Sequence, residues 1–200
     1  FCRLFTGALF IFSGLVKAID PRGLAYKMEE FFEVWANAGF MKGLMETLTH
    51  YSLSFSIIMI TLEVVLGLAL LIGWQKKLTA WLILLLVLFF TFLTAYVLFS
   101  GKIRACGCFG DCIPLTPIQT FSKDIILLIL AILMVWQTTY IKPLAKPFFS
   151  FLYIAAATVI TLALQFYVLK HMPLADCLPY KKGNDILKLR EMPADAVQDK

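Results

Sequence analysis

Charge is scarce in this sequence. Only 16% of the 200 residues are charged, while 60% are hydrophobic, and a soluble domain carries nearer a quarter charged. The mean hydropathy of +0.84 excludes an ordinary soluble domain. No basic stretch interleaves with stacking aromatics, and the net charge of +5 is spread over loops, so nucleic acid is excluded as a partner. Histidine occurs twice. There is no Gly-rich phosphate loop, nucleophile elbow or His-Glu-x-x-His pattern, which removes the commonest phosphoryl-transfer, acyl-transfer and zinc-hydrolase chemistries. Apolar runs do not alternate in tens, which argues against a membrane barrel.

Five long apolar runs remain, at residues 4–19, 53–74, 78–99, 121–141 and 148–169. Each is long enough at 1.5 Å per residue to cross a hydrocarbon core of about 30 Å with some tilt. The expected fold class is an all-α integral membrane bundle of five transmembrane helices in a lipid bilayer. The connections at Gln75-Lys76-Lys77 and Lys142-Pro-Leu-Ala-Lys146-Pro carry two lysines each and no acid. Positive charge in short loops is retained on the cytoplasmic side. That puts the N-terminus inside, with Arg3 at the inner end, and the C-terminus outside. Lys102 and Arg104, on the outer side, weigh against it. Residues 1–170 then form a transmembrane domain, and residues 171–200 an outer, Cys-containing tail. The first run has no small-residue cleavage site after it and reads as a retained helix. The chain opens on Phe1 and closes on a polar stretch, so further residues are expected at both ends, and a further domain beyond Lys200.

Within the outer stretch 20–51, Leu24, Met28, Phe31, Phe32 and Trp35 recur at helical spacing, with Glu29, Glu30 and Glu33 opposite. This predicts an amphipathic helix, lying in the headgroup zone or capping the bundle.

The reactive candidates cluster in Cys106-Gly-Cys-Phe-Gly-Asp-Cys112. By the charge rule Cys106, Cys108, Cys112 and Cys177 share the outer face, where disulfides are permitted, and Cys2 lies inside. Gly107 and Gly110 free the backbone for a tight turn, Pro114 and Pro117 stiffen the exit, and Ser122 is a candidate cap for the next helix. Lys102, Arg104 and Lys123 favour thiolate, while Asp111 opposes it. A Cys-x-Cys pair closes only a small, strained ring, and strained disulfides are labile. Three readings stay open: thiol–disulfide exchange, a structural staple, and metal binding with Cys177 or His171 as fourth ligand. Metal ranks last because paired Cys-x-x-Cys spacing is absent, and no metal is assigned. Cys177 is the natural partner for a loop cysteine, but four cysteines allow three pairings.

Glu63 falls in the middle of the second run, where an acid is costly and marks a functional candidate. It is expected to be protonated or paired, with Lys17, Thr91 or Thr94 as partners. It serves either as helix–helix glue or as a proton or quinone contact, since quinone reduction takes up protons. Lys17 and Asp20 are also candidates to snorkel or cap at the outer interface. Gly7, Ser13, Gly14, Gly67 and Ala69 predict close helix packing. His50 and His171 read as interfacial, and Phe89, Phe90, Phe92 and Tyr96 as lipid-facing or core.

The first-run motif Arg3-Leu-Phe-Thr-Gly-Ala-Leu-Phe-Ile-Phe-Ser-Gly-Leu-Val-Lys17, with Glu63 in the second run, resembles DoxX-like membrane proteins. Cys106-Gly-Cys-Phe-Gly110 after the third run resembles the MauE branch of that superfamily, and the Asp-Cys-Leu-Pro-Tyr-Lys tail is similar to its Bacteroidetes-type members. The resemblance covers residues 3–180 and implies a four-helix core, here with one helix added. It further implies disulfide chemistry at Cys106 and Cys108 beside a thioredoxin-like periplasmic partner, and a link to quinone. Cys112 and Cys177 lie outside the minimal motif. The expected function is a membrane thiol–disulfide redox protein of the bacterial inner membrane. In it Cys106, Cys108, Cys112 and Cys177 are the reacting groups, and Glu63 and Lys17 contact a quinone. The alternative is a non-catalytic scaffold or accessory subunit of a larger membrane complex. A transporter is the weakest reading, because broken half-helices are missing.

Overall fold

The structure is a computed structural model that describes residues 2–39, 41–100, 116–138, 143–144 and 146–171. The described residues form seven helices: α1 (Cys2–Ile19), α2 (Pro21–Asn37), α3 (Lys42–His50), α4 (Ser52–Ile72), α5 (Lys76–Ser100), α6 (Pro117–Trp136) and α7 (Pro147–Lys170). Five of them, α1, α4, α5, α6 and α7, are long and apolar enough to cross a membrane. These are the five expected spans, with bounds shifted by a few residues. The fourth starts earlier than hydropathy suggests. Thr116 accepts from the Gln119 N–H and the Gln119 side chain accepts from the Thr116 N–H, with Pro117 at the first helical position. This capping box satisfies backbone donors that the helix cannot satisfy itself. It displaces Ser122 from the expected cap: the Ser122 hydroxyl donates to the Ile118 carbonyl within the helix.

α1 and α4 run antiparallel in close contact, and the sequence explains how closely. On α1 the buried residues Thr6, Gly7, Phe10, Ser13, Gly14, Lys17 and Ala18 recur every three or four positions and share one face. A Cβ on Gly67 would lie 2.9 Å from the Gly7 carbonyl oxygen, and one on Gly14 2.6 Å from Val64 Cγ2. Small residues here let two backbones touch, which is how helices associate where lipid removes the hydrophobic drive. At one end Arg3 donates to the Leu70 carbonyl at 2.8 Å and to that of Leu71, answering the negative pole of α4. α4 stops at Gly73, whose φ of 78° suits a glycine. The Trp74 and Gly73 N–H groups return to Ala69 and Leu70, and α5 begins three residues later.

At the other end of the bundle, α1 passes into α2 through Asp20, whose carboxylate caps the Gly23 N–H at 3.1 Å. This settles Asp20 as a helix cap. α2 buries Leu24, Ala25, Met28, Phe31 and Phe32 against the ends of α4 and α5. Phe32 meets Phe55, while Trp35 meets Phe92 and Tyr96. Of the two readings of this amphipathic stretch, the structure realises the cap packed on the bundle. The short helix α3 beside it had no clear periodic signal in the sequence. α4 packs on α1, α2, α3, α5 and α7, whereas α6 packs on α5 and α1. α7 is the most peripheral span, with 17% of its apolar window buried against 44% for α4.

Candidate functional site

The regular spacing that seals α1 against α4 also carries Lys17 inward. Gly14 lies against Glu63 and Val64, and Lys17, one turn further, sits over the same part of α4. Its ammonium donates to Glu63 Oε2 at 2.6 Å, with both side chains buried. The Lys17 Nζ also stands 4.5 Å from the centre of the Phe90 ring on α5. Glu63 lies about 16 Å along the axis from Ser52, at 1.5 Å per residue, close to the middle of its span. The pair therefore sits at membrane depth, where an ionisable group is retained only with a partner. This corrects the expectation that Lys17 snorkels to the interface. Of the three partners expected for Glu63, Lys17 is the one that meets it. Thr91 donates to the Val87 carbonyl and Thr94 to the carbonyls of Phe90 and Thr91, as buried helical threonines do.

A second pair completes the cluster. On α6 the buried positions Thr120, Asp124, Leu127, Ala131 and Met134 form one face, which turns Asp124 into the bundle at 2% exposure. Lys123 Nζ is 2.9 Å from Asp124 Oδ1. Asp124 Oδ2 is buried without a hydrogen-bond partner among the described residues. A cavity of about 20 Å³ separates the two pairs, lined by Ser13, Lys17, Glu63, Phe90, Lys123 and Asp124 among others. That is room for about one water molecule. Three helices, α1, α4 and α6, thus contribute two cations and two carboxylates to one formally neutral site, and α5 adds Val87 and Phe90 to its wall. Each charge meets an opposite one, and Asp124 keeps a buried oxygen with no hydrogen-bond partner among the described residues.

Sequence reasoning placed Lys17 and Glu63 here and missed Asp124, while Lys123 was read as a surface cation beside the thiols. The signal was available. Thr116-Pro-Ile-Gln119 is a helix start, and Asp124 falls two turns inside it in phase with Leu127 and Ala131. Cys106, Cys108, Cys112 and Cys177 lie outside the described residues, as do Lys102 and Arg104. Cys2, at the start of α1, is half-buried and free. His50 packs edge-on to Tyr51, and His171 stacks on Tyr167 with its Nδ1–H donating to the Tyr167 carbonyl. Neither histidine reaches the cluster. Among the described residues no group of three or more His, Cys, Asp or Glu side chains is placed to hold a metal.

Comparison with known proteins places this architecture. Protein TlpB of Flavobacterium psychrophilum is 30% identical over 165 residues, which cover 81% of this chain and 42% of that relative. The chain therefore spans less than half the length of that relative. No solved structure matches. The model of the family described as methylamine utilisation protein MauE matches residues 1–137, which takes in α1 to α6, with the three helices that carry the charges and the segment with Cys106, Cys108 and Cys112, and ends at the close of α6. With five apolar spans and that match over more than half its length, the chain is a multi-pass membrane protein that belongs to the MauE family.

Proposed function

We propose that this protein passes electrons from extracytoplasmic thiols to a membrane quinone. The observation that carries the reading is the cluster of Lys17, Glu63, Lys123 and Asp124, carried in part by α6 and lined by Phe90 of α5, the two helices that flank the cysteine-bearing segment. A buried site with ionisable groups beside an apolar phase is suited to move protons with electrons. Membership of the MauE family and the three clustered cysteines support the thiol side.

The chemistry balances as follows. A dithiol on a thioredoxin-like partner reduces a Cys106–Cys108 disulfide through a mixed disulfide, and the partner leaves oxidised. The thiols of Cys106 and Cys108 then lose two electrons and two protons as their S–S bond re-forms. The electrons pass to quinone, which takes up two protons to give quinol. Cys112 and Cys177 relay or lock the exchange. Lys17 and Glu63 hold the proton side of the site in a fixed geometry. In this reading the protein sits in the bacterial inner membrane with its N-terminus inside. α2 caps the extracytoplasmic end, and residues 171–200 form an outer tail.

Thiol trapping in native membranes tests it. Cells are acid-quenched, free thiols are alkylated with a mass tag, and each cysteine is read by peptide mass spectrometry, with and without a functioning respiratory chain. The expected result is a mixed population at Cys106 and Cys108 that becomes reduced when respiration stops. Disulfides fully formed and indifferent to respiration would overturn the reading and make the protein a stapled scaffold.

A further inference from the structure

A second, larger cavity adjoins the charge cluster. It is a groove of about 380 Å³ between α1 and α6, walled by Phe5 and Leu9 on one side and by Ile118, Ile126 and Leu127 on the other. Its size falls in the range of small-molecule sites, about 300–1,000 Å³. Ile118 and Ile126 are more than half exposed, on helices apolar enough to span a bilayer, so the groove opens sideways toward lipid. Its polar wall comes from Gln119, Ser122 and Lys123 on α6. Leu9, Lys123 and Leu127 line both this groove and the water-sized cavity. An apolar compartment open to lipid therefore shares a wall with a buried compartment in which Asp124 Oδ2 has no hydrogen-bond partner among the described residues.

We infer that the α1–α6 groove is the seat of an isoprenoid quinone, and that Asp124 relays a proton to it; this rests on the electron-transfer reading above. The tail occupies the apolar walls. A ring carbonyl accepts a hydrogen bond from the Lys123 ammonium, the one cation shared by both compartments. As quinone gains two electrons, its oxygens need two protons. The free oxygen of Asp124 takes a proton from the extracytoplasmic side and passes it on through the intervening cavity, returning to the carboxylate. A lipid acyl chain would fill the same walls but has no use for the ammonium or the buried acid. Lys17 and Glu63 hold each other across the α1–α4 seam at 2.6 Å, so in this inference they position the cluster and Asp124 does the exchange. Asp124 is thus a relay residue acting beside the bound ring. Ile118, which lines the groove at the start of α6, follows Cys112 by only six residues in the chain.

Photolabelling decides this. The full chain in nanodiscs is irradiated with azido-ubiquinone or azido-menaquinone and the labelled peptides are sequenced by mass spectrometry. Label is expected on residues 5–9 of α1 and 118–127 of α6, removed by excess unlabelled quinone and not by excess oleate. Ile126→Trp, which fills the groove, should cut labelling about tenfold, the equivalent of about 1.4 kcal/mol, while Ile129→Trp, exposed on the same helix and outside the groove, leaves it unchanged. Asp124→Asn should keep the label but slow protein-dependent quinone reduction about a hundredfold, as loss of a proton-transfer group does, and Asp124→Glu should restore most of the rate. Label elsewhere, equal displacement by oleate, or an Asp124→Asn variant of normal rate would overturn the inference. If the groove labels as expected while Cys106→Ser and Cys108→Ser still support full quinone reduction, the thiol reading fails and the groove stands. If Cys106 and Cys108 follow respiration but the label lies elsewhere, the groove fails and the thiol reading stands.

Discussion

The two charge pairs of the cluster are built on opposite plans. Lys17–Glu63 joins two different helices across a seam of glycines, at 2.6 Å, with both side chains sealed and an aromatic face against the ammonium. Lys123–Asp124 joins neighbours in one helix, with a partly exposed lysine and a carboxylate oxygen left over. The first pair is locked by tertiary packing. The second lies at the edge of an apolar groove, where its partners can change. A buried ion pair stabilises little on balance, because desolvation offsets attraction, but removing one member leaves an uncompensated charge. The first pair therefore fits a structural pin, and the second a working site.

The contrast can be broken at its strongest point first. Glu63→Ala leaves Lys17 charged at membrane depth and should cost about 3–5 kcal/mol, measured as unfolding in mixed detergent micelles. The double variant Glu63→Leu with Lys17→Met should recover most of that loss, because it removes both charges. If it does not, the pair does more than pin α1 to α4. Gly67→Leu tests the seam itself. The new side chain meets the Gly7 backbone, and overpacking of this kind costs about 1–3 kcal/mol, visible in the same unfolding assay. Thr116→Ala removes the capping box that sets where α6 begins and should cost about 1 kcal/mol. Asp124→Asn keeps the side-chain shape but removes the charge facing Lys123, and because that lysine is partly exposed the loss should be smaller than for Glu63→Ala, about 1 kcal/mol. A large loss there would erase the distinction between pin and working site.

Much of this was legible in the residues. Long apolar runs require helices because lipid cannot satisfy a bare backbone, so the five spans follow from composition. Glu63 stood out because an acid in mid-span demands a partner, and Gly7, Gly14 and Gly67 pointed to close packing. Asp124 was hidden by a boundary. With the fourth run taken to start at residue 121, the acid lay at an interface, and only the cap at Thr116 moves it two turns inward. The cap role of α2 was one of two readings, since an amphipathic stripe says that a face is buried and not against what. The role of Lys17 was open for the same reason: a long side chain near a helix end can reach either way.

The sequence by itself determined that this is a helical membrane protein, where its helices run, and which rare polar residues must find partners, because bilayer depth penalises every unpaired polar group whatever its neighbours. The tertiary structure alone decided which partners those are. Lys17 turns inward because Gly14 brings α1 within reach of Glu63, and Asp124 faces a small cavity between α1, α4, α5 and α6, where its Oδ2 has no hydrogen-bond partner among the described residues. Both are distances between helices far apart in the chain, set by how side chains interlock, and no local pattern encodes them.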